Sequence, residues 1–349
     1  MVTDTTKVEK SRPLLPVRHP DGDLFICDVM DAIPKDDMAS MEHPIFTLST
    51  KPDKTVRQYE HGDVKIEVVP SVKGLATIHD KDVLIYCISQ LVAKLNNGEE
   101  VGKRLGIRAY DLLVATNRET SGDGYRRLRD AFERLRGTQV TTDIETGGKT
   151  VTSGFGLIDS WNIERETKGG RMTELTVVLS DWVFNAIEAR EVLTLHRDYF
   201  RLRRPIERRV YELARKHCGG QREWKIGLDL LRKKTGSASP LKQFKFLVTD
   251  LAKHNHLPNY SVRIEDKMVI FENRARAKKL MSGVGVGPFL KPDTLNQAFE
   301  ECLSETGVRI DKHAMFEEWK EFWIDTGCPK LKAPDKAFIA FAVKRAHRM

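Results

Sequence analysis

Two stretches of this chain space their apolar residues identically. Tyr125, Leu128, Phe132 and Leu135 follow one another at intervals of 3, 4 and 3, and so do Leu241, Phe244, Val248 and Leu251. That spacing lays a single apolar stripe along a helix of 3.6 residues per turn. Each stretch follows a segment rich in turn-forming residues, 117–124 and 235–240. Before each turn lies a short helical pattern, 110–116 and 228–234, and before that a longer one, 80–95 and 205–217. Asp80 sits where an N-cap belongs, and Asn97-Gly98 and Gly219-Gly220 stand where the longer helices should stop. Alternating segments come after each stretch. Residues 139–144 and 150–155 read as strands joined across Gly147-Gly148, and 260–264 with 268–271 as a hairpin around Glu265-Asp266. Any amphipathic helix can carry such a stripe. The shared order of helix, short helix, turn, helix and hairpin is what predicts two copies of one unit and an α+β fold.

At 349 residues the chain exceeds the ~100–200 residues of one domain. It divides into a flexible leader (1–40), a first unit (41–192), a second unit (193–275), a basic, Gly-rich linker (276–291) and a helical C-terminal module (292–349). The leader holds five basic and eight acidic side chains and no persistent periodicity, so it reads as a mobile segment that folds on a partner. Ordered structure is expected to begin near Ile45, with a strand at 64–68. A strand at 174–179 and a helix at 182–189 close the first unit. In the module, Phe316, Trp319 and Trp323 form a helical stripe, and basic and acidic residues nearly cancel.

Several classes of function find no support. Apolar residues make up 40% of the chain, enough to build cores. No run of ~18 apolar residues suits a membrane helix, and residues 1–9 are too polar for a secretory signal. Five scattered cysteines form neither a disulfide framework nor a zinc ligand set. The cysteine usage fits a reducing cytosol, and no membrane partner is expected. Gly148-Lys149-Thr150 resembles the end of a phosphate-binding loop, but Asp143 stands where its first glycine belongs. Gly283, Gly285 and Gly287 alternate as in a hinge. His254-Asn255-His256 lacks further metal ligands, and Asp21-Gly22-Asp23 reads as a turn. No catalytic residue, metal or cofactor is expected, and the chain reads as a non-enzyme.

Charge gives the positive signal. The chain carries a net +8, whereas residues 197–245 alone hold fifteen basic and five acidic side chains. A solvated face usually mixes signs more evenly, so this block points to nucleic acid. Arg203, Arg204, Arg208 and Arg209 lie in it and are read as phosphate contacts. On the first striped helix, Arg126, Arg127 and Arg134 lie opposite the stripe and Arg129 flanks it. On the second, Lys242, Thr249 and Lys253 lie away from the stripe and Lys245 lies between. A helix that follows a compact turn and aims its polar face outward can enter a major groove. There arginine reads guanine and lysine neutralises phosphate.

Four segments carry a family resemblance. Arg204-Pro205-Ile206-Glu207-Arg208-Arg209-Val210-Tyr211-Glu212-Leu213-Ala214-Arg215-Lys216-His217-Cys218-Gly219 is similar to a signature of the plasmid replication initiator protein A family. So are Asp123-Gly124-Tyr125-Arg126-Arg127-Leu128, Phe155-Gly156-Leu157-Ile158-Asp159 and His43-Pro44-Ile45-Phe46-Thr47-Leu48-Ser49. The resemblance spans roughly residues 40–275. It implies two tandem winged-helix domains, each placing one helix in a major groove at repeated sequences of a plasmid origin. It further implies recruitment of host replication proteins, such as a helicase loader or an origin-binding protein, and homodimers that repress their own gene. Two alternatives remain open: a transcriptional repressor with no replication role, and a DNA-nicking enzyme.

Overall fold

The computed structural model describes residues 14–19, 34–61, 64–96, 98–142, 145–146, 149–150, 153–165, 172–276, 290–291, 293–308, 310, 312–325, 331 and 333–347. In chain order, β1 (Lys35–Asp37) and α1 (Met38–Glu42) come first, then β2 (Arg57–His61) and β3 (Val64–Val69). Next are α2 (Lys81–Asn96), β4 (Arg104–Ile107), α3 (Ala109–Ala115) and α4 (Gly122–Gly137). The strands β5 (Gln139–Thr142), β6 (Glu145–Thr146), β7 (Lys149–Thr150), β8 (Ser153–Gly156), β9 (Ile158–Arg165) and β10 (Met172–Leu179) follow. Then come α5 (Asp181–Glu188), β11 (Val192–Thr194) and a 3-10 turn at Arg197–Arg201. The second unit comprises α6 (Pro205–His217), β12 (Glu223–Gly227), α7 (Leu228–Thr235), α8 (Leu241–His254), β13 (Tyr260–Glu265) and β14 (Met268–Asn273).

The two units share one topology. In the first, α2, β4, α3, α4, β9 and β10 build a sheet ordered β4-β10-β9. In the second, α6, β12, α7, α8, β13 and β14 build a sheet ordered β12-β14-β13. Both sheets are antiparallel, and in both the last strand lies between the other two. The matched stripes face inward. Leu128, Phe132 and Leu135 pack with Leu84, Leu175 and Val177. Phe244, Val248 and Leu251 pack with Val210, Val269 and Phe271.

The hairpin expected after α4 is a different element from the one that completes the unit. β5 does pair with β8, from Gln139↔Gly156 to Thr142↔Ser153, but β5 also pairs with β3. These strands form a separate sheet ordered β2-β3-β5-β8, in which β2 and β3 from before α2 join β5 and β8 from the segment between α4 and the unit's own hairpin, β9–β10. Ile144 and Gly147-Gly148 lie outside the described residues. Alternation marks a strand without naming its partner, which distant contacts decide. Here Phe132 of α4 stacks on Trp161 of β9, with ring centroids 5.8 Å apart.

The leader boundary also needs correction. β1 pairs with β11, from Lys35↔Thr194 to Asp37↔Val192, so order begins well before Ile45. Asp37 caps α1 by accepting from the Ser40 backbone N–H at 2.7 Å. Asp36 is fully buried beside Lys81, at 2.6 Å. Two carboxylates counted in the expected flexible leader are therefore interior anchors. Upstream, Leu14 bridges to Leu202, and the Leu15 N–H donates to the Arg201 carbonyl at 2.9 Å. Asn117 donates to the Pro16 carbonyl, and Arg18 pairs with Glu119 at 3.0 Å. Residues 277–289 of the expected linker lie outside the described residues. Beyond them, α9 (Thr294–Thr306), α10 (Lys312–Asp325) and α11 (Pro334–Ala346) close on Ala298, Cys302, Met315, Trp319 and Phe338.

Candidate nucleic-acid interface

Helix α8 presents the cleaner of the two candidate faces. Pro240 precedes it and Asn255 ends it in the left-handed region at φ 47°, where asparagine is tolerated. Phe244 and Val248 are sealed inward, while Lys242, Lys245, Thr249 and Lys253 are exposed. Lys242 and Lys245 form no ion pair among the described residues, so their charge is available to an anion. The Thr249 hydroxyl donates to the Lys245 carbonyl at 2.8 Å, which occupies its proton within the helix. Phe246, absent from the sequence-based site, is 69% exposed on this face. Its signal was readable: at about 100° per residue it lies diametrically opposite the buried stripe.

Helix α4 carries more charge, and more of it is paired. Arg126 and Arg127 are about two-thirds exposed and reach Asp123 at 3.0 and 3.8 Å. Arg129 reaches Glu133 at 3.8 Å. Exposed pairs one turn apart are worth only ~0.3–0.5 kcal/mol, so these arginines can exchange their partners for phosphate or base. Arg134 is different. It donates from Nε and Nη2 to both oxygens of buried Asp80, at 2.7 and 2.8 Å. It ties α4 to the start of α2, and it leaves the DNA-facing set. The approach of the preceding turn to α4 depends on Gly124, where an added Cβ would stand 1.8 Å from the Glu119 carbonyl oxygen.

The basic signature segment divides the same way. Arg203 and Arg204 are exposed, with Arg204 paired to Asp250 of α8 at 2.5 Å. Glu207 accepts from the backbone N–H groups of Arg203 and Arg204 at 3.0 and 2.9 Å, and Pro205 opens the helix. Burial raises the Glu207 carboxyl, but His256 and that backbone contact hold it below its ordinary pKa. Arg208 and Arg209 are buried, which corrects their reading as phosphate contacts. Every residue from 206 to 214 is buried, so α6 has no outward face to offer DNA.

These two arginines instead join the units. Arg208 pairs with Asp82 of α2 at 2.5 Å and donates to the Phe200 and Leu202 carbonyls. Arg118 meets the other side of Asp82 at 3.0 Å. Arg209 donates to the carbonyls of Ser40, Met41, Glu42 and Lys234 and pairs with Glu212 at 3.0 Å. Glu212 in turn meets Lys81 at 3.2 Å and accepts from the Tyr199 hydroxyl at 2.7 Å. Lys234 pairs with Glu42, which His217 contacts at 2.8 Å. Nothing in the sequence pattern marks this network of Asp36, Lys81, Asp82 and Glu212, because its members meet only through the fold.

Elsewhere, His254 and His256 have ring planes 76° apart, and His256 faces Glu207 at 3.2 Å. No three His, Cys, Asp or Glu side chains cluster as metal ligands among the described residues. No described helix is long and apolar enough to cross a membrane.

Comparison with known proteins places these features. The model of the family described as "Replication initiator protein A" matches residues 35–262. A protein of Wigglesworthia glossinidia brevipalpis named "Putative replication protein" is 41% identical over 232 residues, 66% of this chain and 84% of that one. Among solved structures, a selenomethionine derivative of domains 2 and 3 of RctB aligns with a TM-score of 0.49 at 13% identity. It covers 67% of this chain and 95% of that one. A second structure of RctB domains 2–3 aligns with a TM-score of 0.47 at 13% identity, covering 68% and 97%.

Proposed function

The chain belongs to the replication initiator protein A family, and from that premise we propose that it binds double-stranded DNA at repeated sequences of a plasmid origin. In this reading both units are winged helices. The third helix of each, α4 and α8, enters a major groove, and the hairpins β9–β10 and β13–β14 act as wings along the backbone. The observation that carries the reading is the repeated topology with an exposed basic helix in the same place twice. On α8, Lys242 and Lys245 pair with no carboxylate among the described residues, so phosphate can replace water around them without breaking such a pair. Arg126 and Arg127 reach base edges, where bidentate contact to guanine is worth ~1–3 kcal/mol of discrimination. Arg203 and Arg204 add phosphate contacts beside α8.

The protein acts by binding and by straining adjacent origin DNA, without catalysis, and the C-terminal helices recruit a host replication protein. Selection of duplexes from a random pool by the full chain tests the reading, followed by titration of the enriched sequence at several salt concentrations. A repeated motif should emerge, with affinity that falls steeply with salt. Enrichment of no sequence, or cleavage of supercoiled DNA in divalent metal, would count against it.

A further inference from the structure

Phe246 stands at the midline of α8's outward face. A single exposed apolar side chain needs no explanation by itself. Three features set this one apart. Among the described residues its ring is more exposed than those of Tyr110 and Phe322, the other aromatic side chains that face solvent. It lies on the helix opposite Phe244, Val248 and Leu251, so nothing in the core requires it. Its neighbours one turn away are exposed Lys242, Gln243 and Thr249 and half-buried Asp250, whose charge is taken up by Arg204, and exposed Lys253 follows two turns on. Anything that meets these lysines as an anion must also meet the ring at its centre.

We propose that Phe246 determines specificity by packing on the 5-methyl group of thymine in the major groove. This rests on the duplex-binding reading above. The ring offers no hydrogen-bond donor or acceptor. Of the groups that base pairs display in the major groove, only the thymine methyl matches such a surface. Lys242, one turn before the ring, and Lys253, two turns after it, hold the helix against the phosphates, which fixes the depth of the ring. Apolar wedges that unstack bases enter through the minor groove, whereas a helix with basic flanks seats in the major groove.

Deoxyuridine lacks only that methyl, so it isolates the contact. The selected duplex would be titrated with each thymine replaced in turn by deoxyuridine, using the wild-type chain and Phe246→Ala. For wild type, one or two positions should lose roughly fourfold in affinity, the magnitude expected for one buried methyl-sized group. Phe246→Ala should bind more weakly and show no loss at those positions, with an unchanged melting temperature because the side chain is exposed. Identical scans for the two proteins would overturn the proposal while leaving duplex binding intact. A wild-type chain that prefers no duplex sequence would overturn the duplex reading itself, and this assignment with it.

Discussion

Arg208 and Lys242 carry the same formal charge and do opposite work. Arg208 is held by Asp82 and two carbonyls in the interior, and its loss leaves a buried carboxylate with Arg118 alone. Breaking such a pair costs ~3–5 kcal/mol. Arg208→Ala should therefore lower the urea midpoint sharply. Lys242→Ala should change the unfolding free energy by no more than about 0.5 kcal/mol and reduce the salt slope of duplex binding by about 0.9. A normal midpoint in Arg208→Ala would show that the network is dispensable. His79 gives a pH-dependent counterpart. Burial, then Arg208 and Arg118 beside it, pushes its pKa down to about 2, and burial takes His43 to about 4. The unfolded chain binds these protons first, so stability is full above pH ~6.5 and falls as pH drops toward 4. Glu42 adds a later loss. Burial raises its carboxyl, but His217 and Lys234 outweigh that and hold it well below its ordinary value, so its contribution disappears only in stronger acid. His79→Asn should flatten the decline in melting temperature between pH 6.5 and 4; an unchanged slope would assign the decline elsewhere. None of this could be read from residue type. A count of fifteen basic side chains treats Arg208 and Lys242 alike, and only the burial of α6 on all sides separates them.

Helices were more legible than strands. The stripes of α4 and α8, the short helices before them and the full span of α6 follow from spacing that each segment carries within itself. Strand pairing is not local, so β5 and β8, which belong to a sheet with β2 and β3, took the place of the true hairpin in the first unit. β4 alternates over only four residues and β11 has three, too few to mark a strand by pattern alone. At this scale Gly124 makes a sharp prediction. Alanine normally improves a helix interior by ~0.5–1 kcal/mol over glycine. At residue 124 the added Cβ would meet the Glu119 carbonyl at 1.8 Å, whereas at Gly122 it would meet nothing within 4 Å. Gly124→Ala should thus lower the melting temperature and weaken duplex binding by displacing α4 from its turn. Gly122→Ala should do neither. Equal behaviour of the two variants would mean that the turn does not set the pose of α4.

The molecule as a whole holds two cores that meet and a third described by itself. Met41 and Ile85 belong to the second unit's core although their helices lie in the first. The core of α9, α10 and α11 draws only on residues from Leu290 onward. A chain ending at Arg276 should therefore keep its melting temperature and its duplex affinity, and should fail to maintain a plasmid. Lost binding by a folded truncation would place α9–α11 in the DNA-binding unit. The division into two units was legible because each repeats its own local order. Their junction was not, because it depends on buried charges far apart in sequence. The N-terminal strap has a consequence in time. Arg201 donates to the carbonyl of Leu15 across 186 positions, and β1 waits for β11. At a synthesis rate of ~5–20 residues per second, Leu15 leaves the ribosome roughly 10–40 s before Arg201 exists. Throughout that interval α1 and the acidic Asp36 and Asp37 have no second unit to receive them. A ribosome that stalls before Leu202 therefore presents the cell with a beginning that has nowhere to dock, and translation of the stretch from Val192 to Leu202, just past the middle of the chain, decides whether the first strand is ever placed.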